Sequence, residues 1–301
     1  ILCKIMTGVF SRSWHITKLS FRVIKQDKEL LLFPILAGIF SIIFILAMLF
    51  PTLIVGILGA AGFTGFTFFH YVMIFLTYLG LAFIATFFNV CVVYTAKIRF
   101  SGKNATPGET FKFAFSKIHL IFMWSLLSAT VGLLLTMLDK IAQRLGVVGE
   151  IILTIIRAIL GMMWSIITIF VIPSMVFHDL GPIKAIKKSI SVLRKTWGES
   201  LIRIIGLGAI QGLFILLGLI VFIPLIVLVS PLGIISVLVM IGLFVMYILG
   251  VILIFGVANQ VFNTALYIYA ETGKVVGGYD SKILGEAFKE KKKKGIMGSV
   301  H

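Results

Sequence analysis

The chain has 301 residues, 60% of them hydrophobic and only 13% charged, and its mean hydropathy is +1.15. A water-soluble domain carries about twice that charged fraction, so a soluble globule of ordinary composition is excluded. Basic residues outnumber acidic ones by 27 to 11, giving a formal net charge of +16, and their distribution along the chain is as informative as their number.

Residues 1–29 open the chain with six basic residues, Lys4, Arg12, Lys18, Arg22, Lys25 and Lys28. Phe10, Trp14, Thr17, Phe21 and Ile24 recur within it at helical spacing, which predicts an amphipathic helix. An apolar block follows over about 30–50, long enough to cross some 30 Å of hydrocarbon and read as an anchor rather than a cleaved leader. The segment 51–68 carries no charge and has glycine at 56, 59, 62 and 65. It is expected as an outer loop held in the interface or folded back into the membrane, with a re-entrant element as the alternative. A second apolar block covers 69–96 and contains Cys91, a small packing residue.

The next basic stretch, 97–117, holds Lys97, Arg99, Lys103, Lys112 and Lys117. Pro107 suits the first turn of a short helix, with Phe111, Ala114, Phe115 and Ile118 expected inward. Apolar blocks at 118–138 and 151–177 flank a short segment in which Lys140 and Arg144 balance Asp139 and Glu150. The stretch 178–200 is basic again. Ile183, Ile186, Ile190, Leu193 and Trp197 recur at 3/4 spacing, and Lys184, Lys187, Lys188, Ser191, Arg194 and Lys195 fill the other face. That pattern predicts a basic amphipathic helix lying among lipid headgroups, with Asp179 and Pro182 favouring its start. The last two blocks, 201–229 and 233–258, meet at an uncharged turn, and seven basic residues follow position 270.

Backbone groups in lipid are satisfied only in helices or closed barrels, and these runs lack the alternating ten-residue pattern of barrel strands. The expected fold is therefore an all-α membrane protein with six transmembrane helices. The basic residues fall in every second connection, so both termini and two loops are expected in the cytoplasm. The six helices form three hairpins, about 8–96, 105–177 and 181–270, each preceded by a cytoplasmic interfacial amphipathic helix. Phe88-Asn89-Val90-Cys91 and Phe262-Asn263-Thr264-Ala265 stand at corresponding places in the first and third. Residues 1–272 are read as one integral membrane domain and 273–301 as a basic cytoplasmic tail. The stretch 233–270 exceeds a bilayer at about 1.5 Å per residue, so it protrudes or bends near Asn259.

The turn Ile172-Pro173-Ser174-Met175-Val176-Phe177-His178-Asp179-Leu180-Gly181-Pro182-Ile183-Lys184-Ala185-Ile186-Lys187-Lys188-Ser189, followed by Trp197, resembles a signature of uncharacterised prokaryotic six-helix membrane proteins. These are similar to the membrane domain attached to some glycerophosphodiester phosphodiesterases. The resemblance implies the fold and a prokaryotic plasma membrane, and no reaction, because the soluble catalytic domain of those enzymes has no counterpart here.

The sequence holds no HExxH, GxSxG, GxGxxG or complete P-loop run, so neither enzyme nor cofactor is expected. His178-Asp179 is the one neighbouring histidine–carboxylate pair, an interfacial pair beside a helix start or half of a site completed elsewhere. Lys184, Lys187, Lys188, Arg194 and Lys195 are candidate headgroup ligands, each basic residue near the surface contributing about 1 kcal/mol toward anionic lipid. Nucleic acid is not expected as a partner. Arg157, Asn89, Gln211, Asn259 and Asn263 are the candidate intramembrane polar residues, because polar groups in lipid face protein or water. Arg157 either snorkels to the outer interface, pairs with Glu150 or Asp139, or draws anions into an outer cavity. The Asn and Gln side chains bond between helices or line a path. Gly208 with Gly212 and Ser128 with Gly132 are expected at close helix contacts. The leading function is a scaffold, lipid-organising or accessory membrane protein that forms homo-oligomers. A transporter or channel for a small or lipidic solute is the alternative.

Overall fold

The computed structural model describes residues 20–25, 27, 29–62, 65–142, 145–196, 200–273 and 276. Regular structure among them is helical: α1 Glu29–Ala60, α2 Gly65–Phe100, α3 Pro107–Ser116, α4 Ile118–Ala142, α5 Gly146–Thr168, α6 Val171–His178, α7 Pro182–Thr196, α8 Ser200–Val229 and α9 Ile234–Thr272. Six stretches are long and apolar enough to cross a membrane: Glu29–Ala60, Tyr71–Phe100, Ile118–Leu138, Val148–His178, Leu207–Leu232 and Ile234–Thr272. Their apolar side chains are largely exposed, Leu46 at 62%, Phe50 at 71% and Ile235 at 75%. So much contiguous apolar surface is untenable in water. The chain is a multi-pass membrane protein whose solvent over these helices is lipid.

The segment expected as an outer loop is mostly helix. α1 continues through Pro51 to Ala60, and the chain reverses at Gly62, where φ is +92°. An uncharged apolar stretch in lipid gains nothing by leaving the helix, because each freed backbone group would lack a partner. Likewise α9 does not break near Asn259. It runs unbroken for 39 residues and ends at Gly273 in the left-handed region.

The described chain forms two compact units, one over residues 24–191 and one over 192–276 with 20–23. In the first, α2 packs on α1 and α4, and α4 packs on α5. Phe40 meets Phe88 across α1 and α2, and Trp124 stacks on Trp164 across α4 and α5 at 5.9 Å. Ser125 donates to the Ala82 carbonyl at 3.3 Å and Tyr78 shares a cleft with Leu133, so α2 and α4 run antiparallel. In the second unit α8 and α9 pair antiparallel: Phe214 meets Phe255, Phe222 meets Phe244, and the Tyr247 hydroxyl donates to the Phe214 carbonyl at 2.7 Å.

The glycines at close helix contacts differ from those expected. A Cβ on Gly80 would overlap the Phe44 ring, and one on Gly218 would overlap Tyr247. At Gly132, Gly208 and Gly212 a Cβ would meet no atom of the described residues within 4 Å. Small-residue spacing alone does not say which helix face meets protein.

Candidate functional site

The fourth span is broken, and the break is the best-built polar feature of the first unit. Pro173 has no N–H to offer the Ile169 carbonyl, and its ring crowds the preceding turn, so α5 ends at Thr168 and α6 restarts at Val171. Helix ends leave backbone groups in need of partners. Ser189 of α7 supplies them. Its hydroxyl donates to the Ile167 carbonyl at 2.5 Å and accepts from the Phe170 N–H at 3.2 Å, and its side chain is fully buried. Around it Leu120, Trp124, Val171, Met175 and Ala185 form an apolar cluster.

α6 ends at Asp179, which takes the left-handed conformation at φ 55° and sends its N–H to the Met175 carbonyl. Lysines gather at this carbonyl end, where a helix carries partial negative charge. Lys97 donates to the Val176 carbonyl at 3.2 Å and lies 4.4 Å from the Phe177 ring centroid. Lys117 pairs with Asp179 at 2.7 Å. Asp179 therefore faces Lys117, and the neighbouring His178 is exposed.

α7 carries the candidate basic residues, and its buried stripe is not the 3/4 series of isoleucines. Lys184, Lys187 and Arg194 are exposed and Lys188 is half-buried, while of Lys195 the structure describes only the backbone. Pro182, Ala185, Ser189 and Val192 are buried at 3/4 spacing, with Leu193 beside them. Ile183, on the apolar face expected from the sequence, is 66% exposed. Small side chains at the contact let α7 approach the break closely enough for Ser189 to reach it, and the larger isoleucines are displaced to the flank. Trp197 and most of the N-terminal pattern, Phe10, Trp14 and Thr17, lie outside the described residues, as does nearly all of the basic tail.

α3 is capped at both ends of its first turn. The Thr106 hydroxyl accepts from the Glu109 N–H at 3.3 Å and the Glu109 carboxylate accepts from the Thr106 N–H at 3.0 Å, a reciprocal box behind Pro107. The helix docks on α2 through Thr110, which shares a buried hydroxyl contact of 3.0 Å with Thr95, and through Phe113 stacked on Tyr94 at 4.1 Å. Ala114 is buried as expected, whereas Phe115 and Ile118 are 59% and 43% exposed. Between α1, α2 and α3 lies an open groove of about 290 Å³. Phe87 and Phe88 floor it, Phe40 and Phe115 form its rims, and Phe83, Ile84 and Phe111 complete a lining of carbon-only side chains. Two further apolar clefts flank α2, of about 390 Å³ against α1 and about 430 Å³ against α4.

The five intramembrane polar candidates fall in both units. Asn89 is half-buried on α2, and Arg157 is exposed on α5. Gln211 and Asn259 are half-buried on α8 and α9, while Asn263 is 4% exposed and its Oδ1 has no hydrogen-bond partner among the described residues. None of the five lines the three clefts described above. At the start of α1, Asp27 is buried, and burial pushes its carboxyl above the ordinary value, with Arg99 partly opposing.

Sequence reasoning missed Ser189 as a clamp. Its signal was a hydroxyl on the contact stripe of a helix that follows a proline-broken span, which hydropathy alone does not expose. No curated protein matches the chain. A family model matches residues 68–278, from within α2 to just past the end of α9. With that much of its length matched, the chain belongs to a family of unknown function, DUF6159.

Proposed function

We propose that this protein is a non-enzymatic integral membrane protein of a prokaryotic plasma membrane that organises anionic lipid and serves as a scaffold or accessory component, assembling as a homo-oligomer. Residues 1–272 form its single membrane domain, with three hairpins each led by an interfacial helix, and both termini and the basic tail lie in the cytoplasm. On this reading, residues 172–189 give it the fold of the uncharacterised six-helix proteins that resemble the membrane domain of some glycerophosphodiester phosphodiesterases, and none of the activity of those enzymes.

The observation that carries this reading is α7. Lys184, Lys187 and Arg194 are exposed on one side, while Ser189 on the other holds the break in the fourth span. A helix so placed couples headgroup charge to the packing of a spanning segment. The test is native mass spectrometry of the full chain released from nanodiscs of mixed phosphatidylglycerol and phosphatidylcholine. With Lys187, Lys188 and Arg194 replaced by Gln, retained phosphatidylglycerol falls by about fivefold for each kcal/mol of surface attraction lost. Unchanged retention refutes the headgroup role, and a monomeric wild type refutes the oligomer.

One observation favours the alternative, a transporter or channel. Asn263 is buried with an unpartnered carbonyl oxygen among the described residues, a costly arrangement that a bound polar solute would relieve. In the same experiment, one defined solute retained in place of lipid selects that reading.

A further inference from the structure

The groove beneath α3 has a level along the spans that the helix register fixes. Ser125 of α4 stands opposite Ala82 of α2. Equal steps of about 1.5 Å per residue, back from Ser125 to Ile118 and onward from Ala82 to Asn89, set the start of α4 level with Asn89. The groove floor, Phe87 and Phe88, lies immediately below that level, where the span Ile118–Leu138 begins, while the span of α2 itself runs on to Phe100. Its walls offer no hydrogen-bonding group, so a polar solute has nothing to bind there, whereas a hydrocarbon chain fits its chemistry.

A charge stands at its mouth. Lys112 lies three residues before the rim residue Phe115, so the two are neighbours on the surface of α3. Lys112 is exposed and has no ion-pair partner among the described residues. Glu109, the acidic residue on the same helix, is engaged by the Thr106 cap. Lys117, on the turn after α3, is already paired with Asp179.

We propose that this groove binds one acyl chain of an anionic phospholipid from the leaflet on which α3 lies, with Lys112 facing the lipid phosphate. The site rests on the lipid-organising reading above and names a place for one lipid, distinct from the diffuse layer under α7. The ammonium selects for the anionic headgroup, and the phenylalanine walls hold the chain whatever its headgroup.

The two halves separate in native mass spectrometry of the full chain from nanodiscs of phosphatidylglycerol and phosphatidylcholine. Lys112→Gln lowers the preference for phosphatidylglycerol over phosphatidylcholine about fivefold and leaves total tightly held lipid unchanged. Phe115→Ala lowers retention of the most tightly held lipid roughly tenfold for both headgroups, as loss of a buried aromatic contact requires. Should Phe115→Ala also lower thermal stability, Phe40→Ala on the opposite rim carries the same expectation. Full retention in both rim variants, or an unaltered headgroup preference in Lys112→Gln, overturns the site. If the α7 glutamine variant loses lipid while these do not, the groove fails and the broader reading stands. If the groove variants alone lose lipid, the site stands without the α7 layer.

Discussion

Replacing Ser189 with Ala tests whether α7 holds the broken span together. The substitution removes one oxygen that serves two backbone groups, the Phe170 N–H at 3.2 Å and the Ile167 carbonyl at 2.5 Å. Ser189 is fully buried, so no bulk water is at hand to replace it. Orphaning a buried N–H costs about 1–3 kcal/mol, and the second bond adds about 0.5–1.5 kcal/mol. The expected loss is therefore about 2–4 kcal/mol. Ser191→Ala, on an exposed position of the same helix, is the control and stays within about 0.5 kcal/mol. Thermal unfolding in detergent reads the global effect. Hydrogen exchange reads the local one, because the Phe170 amide loses protection by roughly thirty- to thousandfold if its opening follows that free energy. A Ser189→Ala protein as stable as Ser191→Ala, with Phe170 protection intact, refutes the clamp. A global loss without faster exchange at Phe170 shows that the hydroxyl matters for packing and not for the break.

Gly218→Ala destabilises the chain by about 1–3 kcal/mol through overpacking, because the new Cβ meets a Tyr247 ring that its hydroxyl bond to Phe214 holds in place. Gly212→Ala on the same helix, with open space around it, is neutral or slightly stabilising, and equal melting temperatures for the two variants contradict this account. Asp27 gives a pH signature. Its folded carboxyl binds the proton more tightly than the unfolded chain does, since burial raises it from the ordinary 3.8. Its contribution to stability is therefore greatest below pH 3.8 and declines as pH rises through the interval up to the raised folded value, then levels off. Asp27→Asn removes that slope and stabilises the protein at neutral pH, which melting temperatures across about pH 4 to 8 detect. An unchanged pH profile rules out Asp27 as its source.

The six spans were legible because lipid demands helices and apolar side chains at once, and hydropathy records both. What hydropathy does not record is which apolar face meets lipid and which meets protein. Both environments accept Leu, Ile and Phe, so the motif at Gly208 and Gly212 pointed to a contact that the structure places at Gly218 instead. The end of α1 was misread for the same reason, since glycines and Pro51 suggest a turn in water and are tolerated within helix in lipid. The aromatic groove was out of reach altogether. It depends on the register that brings Phe111 and Phe115 of α3 over Phe87 of α2, and single segments carry no register between them.

α3 and α7 share one cause for their exposed apolar residues Phe115 and Ile183. Each docks through small or hydroxyl-bearing residues, Thr110 and Ala114 on α3, Ala185 and Ser189 on α7, because only these let a short helix approach closely enough to bond at Thr95 or at the Ile167–Phe170 break. That choice leaves the bulkier Phe115 and Ile183 largely exposed, Phe115 at the rim of the groove beside Phe87. In water the arrangement would waste two large apolar side chains. For interfacial helices, as proposed, it offers them to hydrocarbon, with Lys112 and Lys184 exposed nearby. On the lipid-organising reading proposed above, the exposed residues on these two helices are the ones that meet lipid, and substitutions there change what the protein retains more than whether it folds.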